Sequence, residues 1–112
     1  KREASKTGVI YIGGDVPKNY VQQTAFLERH FGVPDAEHEY GFQITTDSPQ
    51  WGGLSGCTFS EGISWGKEKP SGKYATCYCD ATIAFPLIVK AALERCKNLD
   101  KRKRLKLEFN LT

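Results

Sequence analysis

The chain has 112 residues and a mass of 12.5 kDa, enough to hide about two-thirds of its surface around one modest core and no second one. Apolar residues make up 39% and charged residues 26%, with 11 Gly and 5 Pro, which excludes disordered and collagen-like chains. No apolar run reaches the ~18 residues of a bilayer span, so no transmembrane segment is expected, and a net charge of +3 is too small to argue for specific nucleic-acid binding.

Lys1-Arg2-Glu3-Ala4 opens the chain. A dibasic pair followed by Glu-Ala resembles the processing site of fungal secreted precursors, where a kexin-type protease cuts after Lys-Arg. The resemblance implies that Lys1 and Arg2 are the tail of a removed leader and that residues 3–112 form one domain. Residues 8–12 (Gly-Val-Ile-Tyr-Ile), closed by Gly13-Gly14, read as a buried strand. Asp15 can cap the next element and Pro17 suits a first helical turn. Tyr20, Thr24, Leu27 and Phe31 then recur at helical spacing, which predicts a helix over 17–31 with that stripe inward and Gln22, Gln23, Glu28 and Arg29 turned to water. Gly32 and Pro34 stop it.

Residues 34–39 form an acidic loop, 40–46 alternate as a second strand, and 47–56 read as a long loop punctuated by Pro and Gly. The β-rich runs 57–65 and 73–80 flank a turn-rich 66–72 and are expected to pair as a hairpin. Phe85, Ile88, Val89, Ala92, Cys96 and Leu99 mark one face of a second helix, in which Pro86 is tolerable only in the first turn. Leu105, Leu107, Phe109 and Leu111 alternate with polar residues as a last strand. The order β-α-β-β-β-α-β predicts an α+β fold: two helices on one face of a four- to five-stranded, mostly antiparallel sheet, as in ferredoxin-like sandwiches.

The even cysteine count (Cys57, Cys77, Cys79, Cys96) suits a disulfide framework. A structural zinc site wants two close ligand pairs, and only Cys77 and Cys79 are close, so no metal is expected, and no cofactor either. Side chains two apart share a strand face. A hairpin centred on Lys69 would therefore set Cys57 diagonally across from Cys79, and the second helix would bring Cys96 back over that face. The favoured bridges are Cys57–Cys79 and Cys77–Cys96, with Cys57–Cys77 and Cys79–Cys96 as the alternative. Each would contribute ~3 kcal/mol.

Cys77-Tyr78-Cys79, sixteen residues and then Cys96, on a strand-then-helix pattern, resembles the small secreted killer toxins of smut fungi and the plant-pathogen effectors of the same fold. The resemblance implies an α/β sandwich and a secreted, extracellular, non-enzymatic virulence effector. Such a protein would bind a host or competitor-cell protein or surface, alone or as a heterodimer with another secreted protein. The alternatives are a killer toxin acting on target membranes, or a secreted ribonuclease.

The ribonuclease alternative rests on His38 with Glu39 or Glu61 as the acid–base pair and on Arg29 or Arg104 as the phosphate clamp; His30 is the only other histidine. Residues 62–67 (Gly-Ile-Ser-Trp-Gly-Lys) fall one residue short of a phosphate loop and read as a hairpin turn. For binding, Trp51 and Trp65 beside glycines are candidate interface anchors. Lys101, Arg102, Lys103 and Arg104, with Lys97 and Lys106, form a basic patch suited to an acidic partner, a cell-wall polymer or an anionic membrane surface. Asn110-Leu111-Thr112 is a glycosylation sequon.

Overall fold

A computed structural model of the chain describes residue 4 and residues 6–96. In chain order the elements are β1 (Gly8–Ile12), α1 (Asp15–His30), β2 (His38–Thr45), a 3-10 turn (Pro49–Trp51), α2 (Gly53–Gly56), α3 (Phe59–Ser64), β3 (Glu68–Tyr78) and α4 (Ala81–Arg95). The three strands form one sheet in the order β1-β2-β3. Both pairings are parallel, with Ile10 opposite Phe42 and Phe42 opposite Ala75. Parallel neighbours require crossover connections: α1 provides the first, and the segment holding α2 and α3 the second. No helix among the described residues is long and apolar enough to cross a membrane.

These pairings differ from the expected antiparallel ones, and the reason lies in residues 57–65. Their Cys, Thr, Phe, Ile and Trp are good strand formers, but Thr58 and Glu61 make a capping box that starts a helix instead. The expected hairpin therefore has no first strand. Its expected turn is a bulge within β3: His38 pairs with Glu68 and Tyr40 with Lys73, so Lys69–Gly72 loop out of the ladder. Pro70, which has no N–H to donate, sits in that bulge. Tyr74 closes it, its hydroxyl oxygen lying 2.6 Å from the His38 carbonyl and 2.8 Å from the Lys69 carbonyl, two acceptors for its single hydrogen. The expected strand at 105–111 lies outside the described residues.

One face of the sheet is covered. Val9, Tyr11 and Phe59 form its apolar core, with Tyr74 packed against them. The Phe59 ring stacks between Tyr11, 6.2 Å away, and Tyr74, 5.1 Å away. Gly41 lies beneath, and any side chain there would collide with the Phe59 and Tyr74 rings. On the alternate positions of β1, Ile10 and Ile12 are exposed.

Helix α1 spans nearly the expected residues but faces the other way. Lys18, Gln22 and Ala25 are buried, whereas Tyr20 (76% exposed), Leu27 and Phe31 look outward. Asp15, expected as a cap, is instead the first helical residue at φ 61°, and no side chain caps the helix. Pro86 lies beyond the first turn of α4, which Asp80 caps by accepting from the Thr82 amide at 2.8 Å.

Candidate functional site

The inward stripe of α1 meets the sheet through polar groups. Lys18, 3% exposed, donates from Nζ to Gln43 Oε1 at 3.0 Å, to the Ser55 carbonyl at 3.5 Å and to the Cys57 carbonyl. That uses all three of an ammonium's hydrogens. The charge also lies 5.8 Å from the Tyr11 ring centroid. Gln43 Nε2 donates to the carbonyls of Gly13 at 2.9 Å and Ser55 at 3.2 Å. Burial pulls the Lys18 pKa below the usual lysine range, and burial pushes the Cys57 thiol up.

One helical turn on, Gln22 Nε2 donates to Glu68 Oε1 at 2.7 Å. Glu68 opens β3 and is fully buried. Its other oxygen abuts Gly62, where any Cβ would collide with it. Burial raises the Glu68 carboxyl above the usual carboxylate range, against the pull of the Gln22 bond and of nearby Lys67 and Lys18. Burial, and then the Glu68 charge, raise the Tyr11 phenol. Among the described residues, Tyr11 Oη and Glu68 Oε2 have no hydrogen-bond partner.

The third part of the site is placed by α3. Thr58 Oγ1 accepts from the Glu61 amide at 3.2 Å, and Glu61 Oε2 accepts from the Thr58 amide at 2.6 Å. The amide and hydroxyl of Thr58 hold the Glu61 carboxyl below its usual range. Trp65 ends the helix, Gly66 turns the chain at φ 70°, and the Lys67 amide donates to the Gly62 carbonyl at 2.9 Å. Lys67 is 7% exposed and Trp65 is 69% exposed. Lys67 Nζ donates to Asn19 Oδ1 at 3.1 Å and lies 5.9 Å from the Trp65 ring centroid. The two buried lysines thus differ: Lys18 is saturated by three acceptors, whereas Lys67 has one neutral acceptor among the described residues and an open indole beside it.

Of the residues singled out in the sequence, Glu61 and Trp65 lie in this site, within and at the end of α3, and the others fall elsewhere. His38 is buried with Nδ1 3.0 Å from Thr7 Oγ1. Glu39 is ion-paired to Lys6 at 3.0 Å and Lys69 at 3.1 Å, hydrogen bonds that hold its carboxyl low. Successive strand residues point to opposite faces, so His38 and Glu39 do not form an acid–base pair. Arg29 is 3.5 Å from Glu37, and His30 packs edge-on to Phe31. Trp51 is exposed on the 3-10 turn. Lys1, Arg2, Lys101, Arg102, Lys103 and Arg104 lie outside the described residues.

All four cysteines carry free thiols, in place of the expected bridges. Without the hairpin, Cys57 ends α2 rather than facing Cys79, and Cys96 closes the far end of α4. About 22 Å of helix therefore separates Cys96 from the end of β3. No group of three or more His, Cys, Asp or Glu among the described residues could hold a metal ion.

Lys18, Gln43, Lys67 and Glu68 are the functional candidates that sequence reasoning missed. The Thr58-x-x-Glu61 capping box was the available signal for α3, and with it for the placement of Trp65 and Lys67.

A family model described as deoxyhypusine synthase matches residues 1–92. A "Probable deoxyhypusine synthase 2" of Archaeoglobus fulgidus is 58% identical over 85 residues, covering 76% of this chain and 28% of the relative. The protein of the same name in Methanosarcina acetivorans is 47% identical over 97 residues, covering 87% of this chain and 28% of the relative. A "Deoxyhypusine synthase-like protein" of Thermosynechococcus vestitus is 42% identical over 95 residues, covering 82% of this chain and 24% of the relative. The chain spans about a quarter of the length of the curated relatives it matches.

These matches overturn the killer-toxin resemblance, since the matched segment contains the Cys77-Tyr78-Cys79 run on which it chiefly rested. They equally overturn the non-enzymatic effector, toxin and ribonuclease readings, the host or competitor-cell partner, and the secreted localisation. The four free thiols remove the physical argument that had pointed to an oxidising compartment.

Proposed function

The chain belongs to the deoxyhypusine synthase family, and on that premise we propose that it supplies part of an active site for deoxyhypusine synthesis on the eIF5A precursor, with Lys67 as the reactive amine. The observation that carries the reading is the state of Lys67: a buried amine held by a neutral amide rather than a carboxylate, beside an exposed indole. A lysine amine is nucleophilic only once it has lost its proton, and a carboxylate partner would oppose that loss. The face of Trp65 attracts cationic groups, which suits chemistry on a lysine side chain. Asn19 aims the amine, and Glu61, ionised by its Thr58 bonds, adds a negative charge on the same short helix.

A chimera tests this. Residues 8–95 are placed in the Archaeoglobus fulgidus relative in exchange for its matching segment, and deoxyhypusine formation on the eIF5A precursor is followed by mass spectrometry. The chimera is expected to retain activity, and Lys67→Met within it to lose at least about a hundredfold, while Lys90→Met, on an exposed face of α4, leaves the rate unchanged. An active Lys67→Met chimera would end the assignment.

A further inference from the structure

Lys18 and Gln43 raise a separate question, which rests on the Lys67 reading above: why a charged side chain is buried on the α1–sheet seam with no carboxylate among its hydrogen-bond acceptors in the described residues. An apolar residue at that helix position would bury more cheaply. The contacts supply the reason. Lys18 lies in α1, Gln43 in β2, Gly13 in the turn that joins β1 to α1, and Ser55 and Cys57 at the end of α2. Five hydrogen bonds from two side chains tie these segments together. The residues between β2 and β3 are a crossover without a ladder of their own, so their backbone carbonyls need partners from outside.

The Cys57 carbonyl immediately precedes Thr58, the cap of α3. From there the chain is stiff: α3 rises about 9 Å to Trp65, and Gly66 turns it directly into Lys67. A shift at Cys57 is therefore transmitted to the indole and the amine. We propose that Lys18 and Gln43 form a positioning clasp that fixes α2 and α3 against α1, and so sets the Lys67–Trp65 geometry without touching the reacting atoms. Asn19, next to Lys18 on α1, supplies the Lys67 acceptor, so the clasp holds both sides of that hydrogen bond in register.

The test uses the chain with Trp51→Phe, which leaves Trp65 as its sole tryptophan. Trp65 emission and the acylation rate of each lysine by a small amine reagent, read by peptide mass spectrometry, are compared in Lys18→Met and Gln43→Leu. Both variants are expected to shift Trp65 emission to that of a more mobile indole and to raise Lys67 labelling about tenfold, the equivalent of one lost buried hydrogen bond. Lys69 and Lys90 keep their rates, and thermal unfolding stays cooperative. The double variant is expected to go no further than either single, because both break one network. If Lys18→Met does not fold, Gln43→Leu alone decides. Folded variants with unchanged Trp65 emission and unchanged Lys67 labelling would refute the clasp. The emission signal does not depend on Lys67 being reactive, so loss of the reactive-amine reading in the chimera leaves this result standing.

Discussion

At the scale of single residues, the site is governed by how each buried polar group is compensated. Lys18 is compensated by carbonyl dipoles, Lys67 by one amide oxygen, and Glu68 by one amide N–H and by its own raised pKa. Glu68 makes a testable case because its sign is the reverse of the usual salt-bridged carboxylate. A group whose folded pKa is raised binds its proton more tightly in the folded state, so its stabilising effect is complete at low pH. That effect is lost as pH rises from the ordinary glutamate range through the raised folded value. The melting temperature of the wild type should therefore match that of Glu68→Gln near about pH 4 and fall below it progressively toward neutrality. Parallel curves across that window would mean that the carboxylate is not held above its usual range. Referring the wild type to Glu68→Gln cancels Glu39, Glu61 and Asp80, whose lowered pKa values act in the opposite direction.

At the scale of elements, short helix α3 matters out of proportion to its length. Six residues cannot hold a helix by propensity; the Thr58–Glu61 box and the packing of Phe59 between Tyr11 and Tyr74 hold it. Thr58→Ala is expected to cost ~1 kcal/mol, a loss of about 4 °C in a domain of this size, measured by thermal denaturation. Because α3 aims Trp65, the same variant should move the indole emission. A Thr58→Ala chain with unaltered melting would show that ring packing alone suffices. The same element explains the misread strand. Alternation and β-branched content in 57–65 pointed one way and one capping pair the other, and a cap followed by a buried aromatic outweighed strand propensity, which spans only about 1 kcal/mol per position.

At the scale of the whole molecule, the apolar surface is distributed unlike that of a self-sufficient domain. The outward stripe of α1 carries Val16, Tyr20, Leu27 and Phe31, and β1 presents Ile10 and Ile12. Parallel sheets are ordinarily covered on both faces, and here the outward stripe of α1 and the alternate positions of β1 are both open. The stripe should therefore bind an apolar dye. Tyr20→Gln with Leu27→Gln is expected to lower anilinonaphthalene sulfonate fluorescence without lowering the melting temperature, because neither side chain is in the core. A melting point that drops with the dye signal would instead place these residues inside.

Local chemistry was legible in the sequence wherever it acts locally. The position of β1, the extent of α1 and the bodies of β2 and α4 are written in Gly and Pro punctuation and in hydrophobic runs, and the structure keeps them, although β2 begins at His38, inside the expected acidic loop, and β1 is buried on one face only. What the sequence alone could not determine is which side of an element faces inward and which strands meet. Helix α1 is amphipathic, but periodicity identifies only the stripe, and its inward face is set by the acceptors at Gln43, Ser55, Cys57 and Glu68, residues distant in the chain. For the same reason the four cysteines looked like a framework: an even count is a sequence property, but pairing needs sulfurs brought together, and in the fold all four thiols are free. The proposed reactive amine was hidden in the same way, because its burial against an amide and an indole is a relation between Lys67, Asn19 and Trp65 that exists only once α1 and α3 are packed.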